Sequence, residues 1–192
     1  MTIEYYQKHG KEFFESTIDV NMTELHERFV QYLQPHSKIL DAGCGSGRDS
    51  KAFLGMGFEV EAFDASSILV GKATAITGLD VKLATFNTFN TEHLFEGIWA
   101  CASLLHVPNN QLSNTIQHLA KFLLPSGYWY MSFKYGDSER EVNGRRFTDL
   151  NENSFRQLIK PLNLFSIEDM WVTKDQRINK SESWLNVILK KS

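Results

Sequence analysis

The sequence predicts an α/β protein: a doubly wound, mostly parallel sheet of seven strands that ends in an antiparallel hairpin. One observation is an apolar stretch at 38–42 that runs into Gly43, Gly45 and Gly47 and then into a helical pattern. A second is the alternation of short apolar stretches with amphipathic ones, as in a series of βαβ units. A third is the end of the chain, where strand-like stretches at 164–173 and 183–190 are separated by only about ten polar residues. That is too short for a crossover helix, so the pair reads as a hairpin.

The chain has 192 residues, 42% hydrophobic and 22% charged, and is read as one domain, 1–192, with enough length for a substantial core. A net charge of -3 without a basic run argues against a general nucleic-acid binder. The 2 cysteines, Cys44 and Cys101, make no disulfide framework and no four-ligand zinc site, and no metal is expected. Free thiols fit the cytoplasm. The first residues lack the apolar core of a signal peptide, and no apolar run is long enough to cross a membrane.

In chain order, residues 1–20 carry Tyr5, Tyr6, Phe13 and Phe14 without a clean period, and read as a lid over the ligand site or as a packed arm. Asn21 and Glu24 resemble a capping box, and Met22, Leu25, Phe29 and Leu33 give one apolar helical face. After the glycines a helix is expected over 48–56, closed by Gly57. A strand at 58–63 ends at Asp64. In a parallel sheet that carboxylate stands beside the glycine loop, where it can accept both ribose hydroxyls of an adenosine. It can equally cap the helix read over 66–77. A short strand follows at 81–84. The apolar run 97–103 suits a strand buried on both faces and leads to His106, just past its carboxyl end. In doubly wound sheets ligands bind outside those ends. A neutral imidazole there can take a proton from a nucleophile, or can simply close the loop. His9, His26, His36, His93 and His118 show no metal-ligand spacing and read as surface or packing residues.

Asn109 or Asn110 can cap the next helix, whose inner face is Leu112, Ile116, Leu119 and Leu123; a strand follows at 128–133. Residues 134–150 then form a long charged loop at the carboxyl edge of the sheet. It is read as the substrate side, with Lys134, Tyr135, Arg145 and Arg146 holding an anionic or polar group, or as a solvated loop of paired charges. One more amphipathic helix is expected over 151–162 before the closing hairpin.

The glycine spacing is G-x-G-x-G, with Asp41 two residues ahead and Arg48 where a dinucleotide fingerprint needs its third glycine. The stretch Asp41-Ala-Gly43-Cys44-Gly45-Ser-Gly47 resembles motif I of the class I S-adenosylmethionine (SAM)-dependent methyltransferases, which share a Rossmann-like fold. The resemblance extends through Asp64 and the terminal hairpin. Phe-Lys-Tyr-Gly at 133–136 and Gly-Arg-Arg-Phe-Thr at 144–148 are similar to small bacterial enzymes of the type 11 and tellurite-resistance-like groups. It implies methyl transfer from SAM to a small-molecule acceptor by a monomer or homodimer. Alternatives are an enzyme acting on RNA or protein, and a non-catalytic SAM-binding relative. It further implies a cofactor site built from Asp41, Gly43, Cys44, Gly45, Arg48, Asp64, Ala65, Phe86, Asn87 and Ser103. Asp41 would serve the cationic end of SAM. Phe86 would cover the adenine, and, with the acid that the family often carries after the third strand absent, adenine hydrogen bonding would fall to a side chain such as Asn87 or to backbone. His106 is the candidate base, and Tyr5, Tyr6 and the 134–147 loop would close over the acceptor.

Overall fold

The computed structural model describes residues 2–175 and 181–192. It has the expected architecture. Seven strands form one sheet in the order β3-β2-β1-β4-β5-β9-β8, from β1 (Lys38–Ala42), β2 (Glu59–Asp64), β3 (Lys82–Leu83), β4 (Phe95–Ala100), β5 (Leu123–Lys134), β8 (Phe165–Lys174) and β9 (Ser183–Lys191). The first five pair in parallel, and β9 lies antiparallel between β5 and β8. The tip of that last hairpin, 176–180, lies outside the described residues. Among the described residues no helix is long and apolar enough to cross a membrane.

Alternation along the strands sorts the core into two layers, because successive side chains point to opposite faces. Leu40, Ile98, Trp129 and Val187 face one way and meet Leu112 and Ile116 of α5 (Asn109–Ala120) and Phe155 of α6 (Glu152–Ile159). Ile39, Trp99, Tyr130 and Ile188 face the other way and meet Leu25 and Phe29 of α2 (Thr23–Val30) and Phe53 of α3 (Arg48–Gly55). On that second face Trp99 stacks on Tyr130, with ring centroids 3.9 Å apart.

Local chemistry explains most boundaries and corrects a few. Asn21 makes no capping box; its side chain accepts from Thr23 N at 2.9 Å, and Met22 occupies the cap position of α2. The box lies at α6, where Asn151 and Ser154 satisfy each other's backbone N–H groups. The cap of α5 is Pro108, so Asn109 is already helical. Ser66 caps α4 (Ser67–Thr77), and Gly78, at φ +74°, ends it.

Two segments are more ordered than the sequence suggests. Residues 2–17 form a helix, α1 (Thr2–Thr17), with a kink at His9. It lies on α4, where Gly10 lets the backbones approach; a Cβ there would fall 2.8 Å from Ile68 Cγ2. Thus α1 is both the packed arm and the cover of the site described below. The 134–150 segment is no irregular loop. It holds a second, two-stranded sheet of β6 (Glu139–Val142) and β7 (Arg145–Thr148). Asn143 and Gly144 turn it with φ of +52° and +74°, the pair of positive angles that a tight two-residue hairpin needs. Asn-Gly between strand-like stretches is the signal that would have found it.

Candidate active site

The chain runs outward from β1 to β3 and then returns to β4 on the other side of β1, so the sheet changes direction between β1 and β4. A crevice opens at the carboxyl ends of such strands. Here two adjoining cavities of about 480 and 180 Å³ lie there, and Tyr6, Phe13, Gly43, Gly45, Ala102 and His106 line both.

The smaller cavity is bounded by Asp64 and Ala65 after β2, by Thr85 and Phe86 after β3, and by Ser103 and Val107 after β4. Gly43 and Gly45 hold φ of +77° and +56°. A Cβ on Gly43 would fall 2.8 Å from Ser103 Cβ and 3.2 Å from Phe86 Cζ. Gly43→Ala is therefore expected to cost about 1–3 kcal/mol in backbone strain alone, read as a lowered melting temperature. Ser103 is fixed by donating to the Ala42 carbonyl at 2.7 Å. The Asp64 carboxylate accepts from Gly45 N at 2.9 Å and Ser66 N at 2.8 Å. The carboxylate ties the start of α4, as the capping reading expects, and it also lines the smaller cavity. Burial raises its carboxyl above the ordinary range, and the N–H groups of Ser66, Gly45 and Ala65 pull the other way.

The larger cavity reaches from Cys44, Ser46, Arg48 and Asp49 to the β6–β7 hairpin and the ends of β8 and β9. Its inner wall carries a buried ionic cluster. Asp49 accepts from Arg48 Nε at 2.7 Å, Arg48 Nη2 at 2.9 Å, His26 Nε2 at 2.9 Å and Trp99 Nε1 at 2.9 Å. Burial alone would push the Asp49 carboxyl up. The Arg48 charge and the bonds from His26 and Arg48 outweigh it and hold the group well below the usual carboxylate range. Sequence reasoning passed over Asp49 and gave His26 no specific role. The available signal was an Arg-Asp pair in the first turn after the glycines. Burial pushes the Cys101 thiol up to about 12 and the Cys44 thiol well up, so neither is a nucleophile at neutral pH.

At the mouth, β7 docks on the 3-10 turn Leu104–His106. His106 Nδ1 lies 2.7 Å from the Arg146 carbonyl, which only accepts, so Nδ1 carries the proton. Nε2 therefore holds the lone pair, and it accepts the Tyr6 hydroxyl at 2.9 Å. Burial lowers the pKa of His106 to about 4, so the ring is neutral at physiological pH.

Several expected site residues lie elsewhere. Asp41 lines neither cavity. It shares the face of Ile39 on β1, points toward α3, and accepts from Ser50 Oγ at 2.6 Å. Its burial and the nearby Asp49 charge raise its carboxyl, and its bond to Ser50 joins β1 to α3. Asn87 turns to α5 and accepts from Thr115 Oγ1 at 3.1 Å. Tyr135 is exposed and bonds Glu152 at 2.9 Å. Arg146 pairs with Glu139, leaving only its carbonyl to the site. Tyr5 lines no cavity but stacks on Arg145, which does, at 4.4 Å. For Arg146 the strand explains the exit, since neighbours at 145 and 146 on β7 face opposite ways. Gly43, Cys44, Gly45, Arg48, Asp64, Ala65, Phe86, Ser103, His106, Tyr6, Lys134 and Arg145 all line one cavity or both.

The profile of the methyltransferase-domain family matches residues 14–173. The match is to the methyltransferase domain at large and singles out neither of the two bacterial groups that the sequence resembles. Among curated proteins no relative matches the chain. Solved structures share the fold at low identity. The Burkholderia thailandensis 1,6-didemethyltoxoflavin-N1-methyltransferase, solved with its substrate and S-adenosylhomocysteine (SAH), superposes with a TM-score of 0.79 at 18% identity, covering 99% of this chain and 85% of that one. The magnesium protoporphyrin IX methyltransferase of Synechocystis, solved with SAM, gives 0.74 at 18% identity, with 99% and 95% covered. The N-methyltransferase NodS of Bradyrhizobium japonicum, in complex with SAH, gives 0.72 at 16%, with 96% and 97% covered.

Proposed function

This chain belongs to the methyltransferase-domain family, and from that premise we propose that it moves a methyl group from SAM to a small-molecule acceptor. The observation that carries the reading is the half-buried Asp64 carboxylate, which faces the smaller cavity beside Gly43 and Gly45. Beyond the bonds from Gly45 N and Ser66 N, a carboxylate keeps accepting capacity on its two oxygens, which suits the two hydroxyls of a ribose. The positive-φ glycines keep Cβ atoms out of the space a nucleoside needs. Phe86 and Ala65 flank the base, and the Arg48–Asp49 pair in the larger cavity complements a zwitterionic amino-acid tail. The structural relatives named above, solved with SAM or SAH, support the same cofactor.

When bound, SAM supplies an electrophilic methyl on a sulfonium, so the protein needs no covalent intermediate. Its task is alignment and exclusion of water, which can contribute on the order of 7–11 kcal/mol. Here Tyr6 and Phe13 of α1 cover the junction of the two cavities. An acceptor N–H or O–H that bonds the Tyr6 oxygen gives up its proton there, while the Tyr6 proton passes to His106 Nε2. The Arg146 carbonyl holds the ring in the tautomer that can receive it.

Because His106 acts as the neutral ring, activity is present above its pKa and is lost as pH falls through about 4. The expected profile of kcat/KM is therefore flat through pH 6.5, where a solvated imidazole would titrate. A limb near 6.5 would show that the ring is not sequestered. His106→Gln should lower kcat by about 10²–10⁴-fold, the usual worth of a positioned base.

The reading as a whole is tested by calorimetric titration with SAM, SAH and NADH, followed by a screen of small acceptors for SAH release. Binding of SAM and SAH but not NADH, with release on a small acceptor, is expected. No binding of SAM or SAH by folded protein refutes the cofactor. Turnover only on RNA or protein refutes the acceptor.

A further inference from the structure

The cations around the larger cavity differ in one respect. Arg48 pairs with Asp49, Lys134 with Glu182 and Arg140 with Asp149. Lys174 donates to Ser183 Oγ at 3.0 Å. Arg145 has no carboxylate within ion-pair distance among the described residues, and its Nε is buried without a hydrogen-bond partner. Its guanidinium carbon lies 4.4 Å from the ring centroid of Tyr5 and 5.3 Å from that of Phe147. Arg145 lines the same cavity as Tyr6, whose hydroxyl donates to His106 Nε2.

We propose that Arg145 is the acceptor's recognition site, and that the acceptor carries a carboxylate which pairs with the Nε edge of this guanidinium. The inference rests on the methyltransferase reading and narrows its substrate class. An orphaned Nε–H beside an Nη–H is one fork of a guanidinium, and a planar carboxylate matches it with two parallel bonds. Leaving the buried Nε–H without an acceptor is costly, and the side chain of Arg145 rests on the rings of Tyr5 and Phe147. The neighbouring acids cannot relieve the charge, because Glu182 and Asp149 are already paired. Arg145, Tyr6 and His106 all line the larger cavity. The carboxylate and the attacking N–H or O–H of the acceptor therefore lie close together, as in a small amino or hydroxy acid.

The test uses benzoate and its neutral analogue benzamide as probes, each titrated into the full chain with and without saturating SAH and followed by ligand-observed NMR. The wild-type protein is expected to bind benzoate at least about tenfold more tightly than benzamide, the worth of one charge-assisted pair. Arg145→Gln should abolish that preference, Arg145→Lys should keep part of it, and Arg156→Gln, which removes an exposed charge on α6, should keep all of it. SAH affinity measured in the same samples reports folding, and Arg145→Gln should leave it within twofold. Equal binding of the two probes, no binding of either, or a preference that survives Arg145→Gln overturns the proposal. Inorganic phosphate displacing benzoate with higher affinity overturns the carboxylate as the occupant. Loss of SAH binding by the wild-type protein, with the benzoate preference intact, refutes the cofactor and leaves the anion site standing.

Discussion

Asp49→Ala is expected to remove about 3–5 kcal/mol of folding stability, the usual cost of breaking a buried ion pair from one side. Asp49 is 6% exposed and gathers Arg48, His26 and Trp99 on its two oxygens. Removing it strands the Arg48 guanidinium, whose side chain is 19% exposed, against Cys101 and the Thr17 carbonyl. It also leaves the Trp99 and His26 N–H groups without an acceptor. At roughly 2–4 °C per kcal/mol for a chain of this size, the melting temperature should fall by about 6–20 °C. The double variant Arg48→Met with Asp49→Ala separates the causes. It removes the stranded charge and should recover a large part of the loss. Equal melting temperatures for the single and double variants would show that the unpaired guanidinium is not the source. The effect spreads beyond stability, because Arg48 and Asp49 also wall the larger cavity.

Asp64→Ala is expected to weaken SAM and SAH binding by about 10²–10⁴-fold, measured by calorimetry. The estimate takes two hydrogen bonds from ribose hydroxyls to a charged carboxylate at about 1.5–3 kcal/mol each. Part of the loss is local, since Gly45 N and Ser66 N both rest on this carboxylate. Asp64→Asn controls for that, because it keeps the shape and one accepting oxygen while discarding the charge. It should lose less than the alanine variant but at least about tenfold. Affinity within threefold of wild type for both variants would remove Asp64 from the cofactor site.

The elements that build the site were legible to the extent that one local signal determined each. Positive-φ glycines at 43 and 45 follow from the strand–turn–helix junction. Asp64 follows from its place at the end of the second strand, and His106 from its place after the fourth. Asp41 and Asn87 were assigned through the family pattern, and neither side chain lines either cavity. Asp41 lies on the strand face that meets α3. Asn87 lies where α5 offers Thr115. The β6–β7 hairpin was missed although Asn143-Gly144 announces it.

The sequence by itself determined the class of fold, the glycine loop, the acid after β2 and the closing hairpin. Each depends on period, spacing or a residue's allowed dihedrals, which are properties of a few neighbouring residues. Only the tertiary structure decided which charges are neutralised and which are left over. Arg48, Lys134, Arg140, Arg145 and Arg146 look alike in one dimension. Carboxylates at Asp49, Glu182, Asp149 and Glu139 answer four of them. Two of those acids, Asp49 and Glu139, are sequence neighbours on the same element or hairpin, and Glu182 comes from the far end of the chain. Coulomb energy depends on separation in space and on burial, and neither is a function of position along the chain.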